Sequence, residues 1–182
     1  MSEPWILNPT IWKTKSAFMS WLRGGIRRSL WNKSPIKLEY IKKNRKRIAN
    51  PNPKGKVETV WGGCCGLCGD DFVIAQLDVD HKQGNHSLNE LSDIQSFIEN
   101  IVLVTEDDLQ FACKTCHKIK NQQERKGISF KEASYEKIAI DLEKKKLVSV
   151  WLKEKGVAPA SNAKLRRQQV IDKLKEEKEN ES

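Results

Sequence analysis

A chain of 182 residues has room for one domain with extensions or for two small ones. Its formal charge of +9 and pI near 9.3 suit a polyanionic partner, and no apolar run approaches a membrane span. Five cysteines, four of them in two CxxC pairs, argue against a disulfide framework and for a reducing compartment, so a cytoplasmic location is expected. The opening Met1-Ser2-Glu3-Pro4 carries neither the basic start nor the apolar run of a cleavable signal.

Residues 1 to 14 are expected to be extended, with Pro4 and Pro9 breaking regular structure. Residues 15 to 31 read as a helix: Ala17, Phe18, Trp21, Leu22, Ile26 and Leu30 recur at three- and four-residue spacings. Lys15, Arg23, Arg27 and Arg28 lie mainly off that stripe, and Gly24-Gly25 weakens the middle. Arg27 and Arg28 are therefore candidates for nucleic-acid contact. Residues 32 to 56 are the most basic part, with Lys42, Lys43, Arg45, Lys46 and Arg47 in one run. Asn50-Pro51-Asn52-Pro53-Lys54-Gly55 then stops any helix, so the segment reads as a basic arm and linker able to track a phosphate backbone without reading sequence.

From Cys65 the chemistry becomes specific. Cys65-Gly66-Leu67-Cys68 and Cys113-Lys114-Thr115-Cys116 form two knuckles, and zinc takes four tetrahedral ligands that a two-residue spacer can turn toward one ion. Cys64 could replace Cys65 with a three-residue spacer, but the spacing of the second knuckle favours Cys65. The 44 residues between the pairs exceed the roughly 15 to 20 of a compact zinc ribbon, so the metal would clamp the ends of a segment with structure of its own. Inside it lie Asp78-Val79-Asp80-His81, and His117 follows the fourth cysteine. A histidine with an unperturbed pKa of about 6.5 can accept a proton at neutral pH. Asp80 and His81 are neighbours, so a straight strand would point them to opposite faces, and a bend at the strand end is needed for both to serve one site.

Over residues 60 to 125 this combination resembles the HNH nucleases, the ββα-metal group that includes phage and homing-type endonucleases. A CxxC followed by Val79-Asp80-His81 matches the first half of the pattern, and Cys113 to His117 matches the knuckle that opens the helix. Zinc-bearing members read N-L-Q before the last knuckle where this chain has Asp108-Leu109-Gln110, so Asp108 holds the middle position by register; Asn100 has the expected residue type eight residues earlier. The resemblance implies an α+β fold: a small zinc-stabilised ββα-metal core over residues 57–127, with helical extensions over 1–56 and 128–182. It further implies DNA as substrate, structural Zn²⁺ on Cys65, Cys68, Cys113 and Cys116, and catalytic Mg²⁺ or Mn²⁺ held by Asp80 and His117. His81 would be the general base, oriented by Asp108 or Asn100. A second copy of the chain or another phage protein would be a partner, and a phage-encoded chain would work in the host bacterial cytoplasm. Trp12 to Phe18 and Trp21 to Gly24 also look like the N-terminal extension of some phage HNH proteins.

Phe72 to Asp80 reads as a hairpin or strand, and Ser92-Asp93-Ile94-Gln95 as a capping box. Ile101 to Val104 and Leu109 to Ala112 read as strands, and the helix opening around Cys113 carries Lys118, Lys120, Arg125 and Lys126 toward phosphate. His86, in a polar loop, is a weaker candidate for phosphate or metal. Ser129 to Glu132 forms a second capping box that opens a charged helical region to about residue 155, with Trp151 and Leu152 packing its end. After a hinge at Val157 to Ser161, a last helix from Asn162 carries a sparse stripe of Leu165, Ile171 and Leu174. Two rival classes stand beside the nuclease. A non-catalytic zinc-binding DNA-recognition module would have basic surface and zinc without Mg²⁺-dependent activity. A zinc deaminase would need H-x-E and P-C-x-x-C, and neither is here.

Overall fold

A computed structural model describes residues 3–52, 54, 56–84 and 87–180, and divides the chain into two compact units, Met1–Cys113 and Lys114–Ser182. Helices are mixed with small antiparallel sheets, an α+β composition.

In the first unit a short helix, α1 (Pro4–Leu7), replaces the expected extended start. Pro4 takes the first helical position, where its missing N–H costs nothing, so the proline opens a helix. Helix α2 (Lys15–Ile26) begins at Thr14, whose Oγ1 accepts from the Ala17 N–H at 3.1 Å. It runs into a π-helical turn over Arg27–Trp31, and helix α3 (Pro35–Asn44) follows behind a Ser34 cap. The basic run is therefore the end of α3 and the start of a strand, not a free arm.

Strands β1 (Lys46–Ala49), β2 (Thr59–Cys64) and β3 (Asp71–Val73) form an antiparallel sheet in that order, with Arg47 opposite Trp61 and Gly62 opposite both Lys46 and Val73. Gly62 and Gly63 permit close approach in the middle of β2: a Cβ on Gly62 would stand 2.6 Å from the Phe72 carbonyl, and one on Gly63 would stand 2.8 Å from the Phe111 ring. After a 3₁₀ turn, strand β4 (Leu77–His81) pairs antiparallel with β5 (Leu109–Cys113), as expected for the second of these strands.

Between them lies helix α4 (Ile94–Val102), so Ile101 and Val102 end a helix rather than begin a strand. Phe97 and Ile101, one turn apart, bury against Phe18, Met19 and Leu88. The capping box sits two residues earlier than read: Asp93 accepts from the N–H groups of Asn89 and Glu90 at 2.9 and 2.8 Å. A second cluster of Val79, Leu109 and Phe111 lies under Tyr40 and Ile41, and Trp31 packs on both clusters.

The second unit is helical: α5 (Lys114–Lys126), α6 (Phe130–Lys144), α7 (Val148–Glu154) and α8 (Ala163–Asn180). Gly127, at φ 64°, closes α5, and the Ser129–Glu132 capping box opens α6 as expected. The helical region expected to about residue 155 is two helices, parted at Lys145–Leu147 with Lys146 at φ 59°. The break turns Val148 and Leu152 onto Ala139 and Val170, with Trp151 packed beside them. On α8 the buried residue is Val170, flanked by Ile171 and Leu174, while Leu165 faces solvent. No helix among the described residues is long and apolar enough to cross a membrane.

Candidate functional site

The ligand atoms of Cys65, Cys68, Cys113 and Cys116 lie within 4.8 Å of one another, and no cysteine is in a disulfide. A tetrahedron with Zn–S of about 2.3 Å has sulfur–sulfur edges of roughly 3.8 Å, so the four thiols are gathered as a structural metal such as zinc requires. The first knuckle is built by backbone hydrogen bonds. The Gly69 N–H donates to the Cys65 carbonyl at 2.9 Å with Gly69 at φ 79°, and the Gly66 N–H donates to the Phe111 carbonyl at 2.8 Å, tying the turn to β5. The Cys113 N–H points at the Cys65 sulfur at 3.3 Å. Burial pushes the Cys65 thiol up, but the N–H groups of Cys113, Cys68 and Leu67 and the Cys68 thiol outweigh it and bring the pKa down to about 7. Cys64, at the exposed end of β2, donates its S–H to the Gly69 carbonyl at 3.1 Å and stays outside the cluster.

Strand β4 carries its ladder through His81, with Asp80 opposite Gln110 and His81 opposite Leu109. By alternation His81 shares a face with Val79 and Leu109, and its ring stacks on Trp31 with centroids 4.6 Å apart and planes at 25°. Asp80 falls on the other face with Asp78. The bend expected between them is thus not within the ladder; His81 is its last rung, and the Lys82 N–H donates to the Asp108 carbonyl at 2.7 Å.

Asp108 caps a 3₁₀ turn over Glu106–Asp108, accepting from the Thr105 N–H at 2.8 Å and the Thr105 hydroxyl at 2.7 Å. Those two bonds hold its pKa below the usual carboxylate range, and the positive potential of His81 and Lys82 lowers it further. Asn100 instead donates to the Ser96 carbonyl of its own helix at 2.6 Å. His117 is half-buried on the first turn of α5, and His86 lies outside the described residues.

Two residues of the π-helical turn bear on β4, and sequence reasoning gave neither this place. Trp31 supplies the ring on His81; nothing local marks a pair fifty positions apart. Arg27 has its Cζ 5.8 Å from the Phe97 ring centroid. Although Arg27 as a whole is exposed, partial desolvation of its head lowers its pKa, Arg23 adds to this, and Asp80 opposes both.

The other candidate cations sort by their partners. Lys43 pairs with Glu106 at 2.5 Å, Lys46 with Asp71 at 2.7 Å, and Lys42 stands 3.9 Å from Glu39. Arg45 and Arg47 both lie on the indole of Trp61, each 4.2 Å from its centroid. Arg28 and Lys118 are exposed. Lys120 is corrected: it is buried in α5 and pairs with Glu124 at 2.9 Å, so it does not present its charge to solvent. No family model matches the chain, and neither a curated protein nor a solved structure matches it.

Proposed function

We propose that this protein is a metal-dependent DNA endonuclease of the HNH type. What supports the reading most is that the Asp80-His81 strand β4 pairs with β5, with α4 inserted between them, and β5 leads directly into the Cys116-His117 helix α5, beside four thiols gathered as a metal such as zinc requires. In this reading His81 takes a proton from water, and Trp31 fixes the plane of its ring. Asp108 orients that end of the strand through its backbone carbonyl, which accepts from the Lys82 N–H. Asp80 and His117 would hold Mg²⁺ or Mn²⁺, which supplies positive charge to the phosphate and the leaving oxygen. The half-buried, stacked state of His81 on the face opposite Asp80 favours a second reading, in which the pair is structural and the chain is a non-catalytic zinc-binding DNA-recognition module.

Incubation with supercoiled plasmid and Mg²⁺ separates the two. The nuclease converts plasmid to nicked or linear product, and His81→Ala slows this by about 10²- to 10⁴-fold while fold and zinc content persist. Asp80→Ala should regain part of its lost rate at high Mg²⁺ or with Mn²⁺. Folded, zinc-loaded wild-type protein that leaves the plasmid intact would decide for the structural reading.

A further inference from the structure

We infer that the Arg45–Trp61–Arg47 stack on the β1–β2 ribbon is a binding site for an unpaired base and its flanking phosphates in single-stranded DNA. The inference rests on the DNA-directed reading above and narrows it. Three observations carry it. First, Trp61 is 41% exposed on β2, so its indole is open to a ligand from solvent. Second, Arg47 faces it directly across the ladder and Arg45 lies two residues back on the same face, so the ribbon holds three planar groups together. Third, among the described residues neither guanidinium has a carboxylate partner, whereas their neighbours Lys43 and Lys46 do. Each guanidinium stands 4.2 Å from one ring centroid. The two charges therefore lie within roughly 8 Å of each other, inside one screening length at physiological salt. That is an unrelieved positive site, and an anion relieves it.

Relative strengths decide which anion-bearing ligand fits. An exposed cation–π contact is worth roughly a factor of 2 to 5 in equilibrium constant, whereas stacking a base on an aromatic ring is worth roughly 5- to 150-fold. A guanidinium leaving the indole for a phosphate oxygen gains a charge-assisted, two-pronged bond and frees a face for the base. The exchange favours a ligand that brings both groups. A duplex brings only phosphates, because its bases are stacked on both faces.

The test measures anisotropy of fluorescein-labelled oligo-dT and of a labelled duplex across a salt series, in EDTA-free buffer without Mg²⁺ so that cleavage plays no part. Trp61→Ala should weaken oligo-dT binding by roughly 5- to 150-fold with an unchanged salt slope and leave duplex binding within twofold. Trp61→Phe should recover most of the loss, which a merely unfolded ribbon would not allow. Replacing Arg45 and Arg47 by Gln should reduce the single-strand salt slope by roughly 0.7 per lost phosphate contact. Oligo-dT affinity unchanged in Trp61→Ala, an equal loss on duplex, tighter wild-type binding to oligo-rU, or no wild-type binding to oligo-dT each overturns the inference. The plasmid assay reports on the nuclease reading separately. A protein that binds oligo-dT through Trp61 and cuts nothing keeps this site and loses that activity.

Discussion

Asp108 shows how one side chain serves both the fold and the strand end beside it. Its carboxylate is occupied by two donors from Thr105, and that occupation lowers its pKa from 3.8 in the folded protein. A depressed folded pKa contributes stability above the unfolded value, and the contribution is lost as pH falls through the folded one. Asp108→Asn should therefore melt below wild type at pH 7, with the gap closing as pH falls below 3.8. Thermal unfolding of both proteins across that range measures it, and a gap independent of pH would show that the charge is not what Thr105 holds. The HNH-like pattern expects an Asn-type residue here, so the same variant should keep its plasmid nicking if the proposed function is right.

At the scale of elements, Gly62 and Gly63 leave the least room for a side chain among the described glycines of the first unit. An added methyl on Gly62 meets the Phe72 carbonyl at 2.6 Å and Ile48 Cδ1 at 2.4 Å, and a backbone oxygen in a ladder has nowhere to go. Gly62→Ala should cost about 1 to 3 kcal/mol by overpacking. Gly25→Ala in α2 meets nothing within 4 Å and should stabilise by about 0.5 to 1 kcal/mol. Paired melting curves of the two variants check both signs. The contrast also explains which elements were legible from sequence. Helix α2, the Ser129–Glu132 box and strand β5 declare themselves through neighbours within four residues. Strand β1 does not: Lys46-Arg47-Ile48-Ala49 reads as a charged arm, and only pairing with β2, ten or more residues on, makes it a strand. Ile101 to Val104 failed for the opposite reason, since an apolar run of four fits either period until Phe97 one turn earlier is counted with it. The four cysteines that could hold a structural metal were readable because the CxxC spacing marks them. Trp31 on His81 was not, because a ring contact fifty residues apart leaves no local mark.

For the whole molecule the decisive question is a structural metal on the four gathered cysteines. The first and last of the four cysteines are 51 positions apart, so closing the cluster costs chain entropy that the thiols alone do not offset. A structural zinc in a small domain supplies on the order of 10 kcal/mol of folding free energy, which is ample. It binds thiolates, so every proton retained by a ligand opposes it. Cys65 is already poised, its pKa lowered from 9.0 to about 7 by the N–H groups around it. A thiol with a depressed folded pKa contributes stability above its unfolded value of 9.0 and loses that contribution as pH falls through the folded one. Zinc held against a fixed concentration of chelator, and thermal stability with it, should therefore decline as pH falls from 9.0 through about 7. Cys116→Ser should lose zinc and cooperative melting together, whereas Cys64→Ser should keep both, because the Cys64 sulfur bonds the Gly69 carbonyl outside the cluster. Zinc content by atomic absorption beside melting by circular dichroism tests this. A Cys116→Ser protein that melts as wild type without zinc would show that packing alone closes these 51 residues.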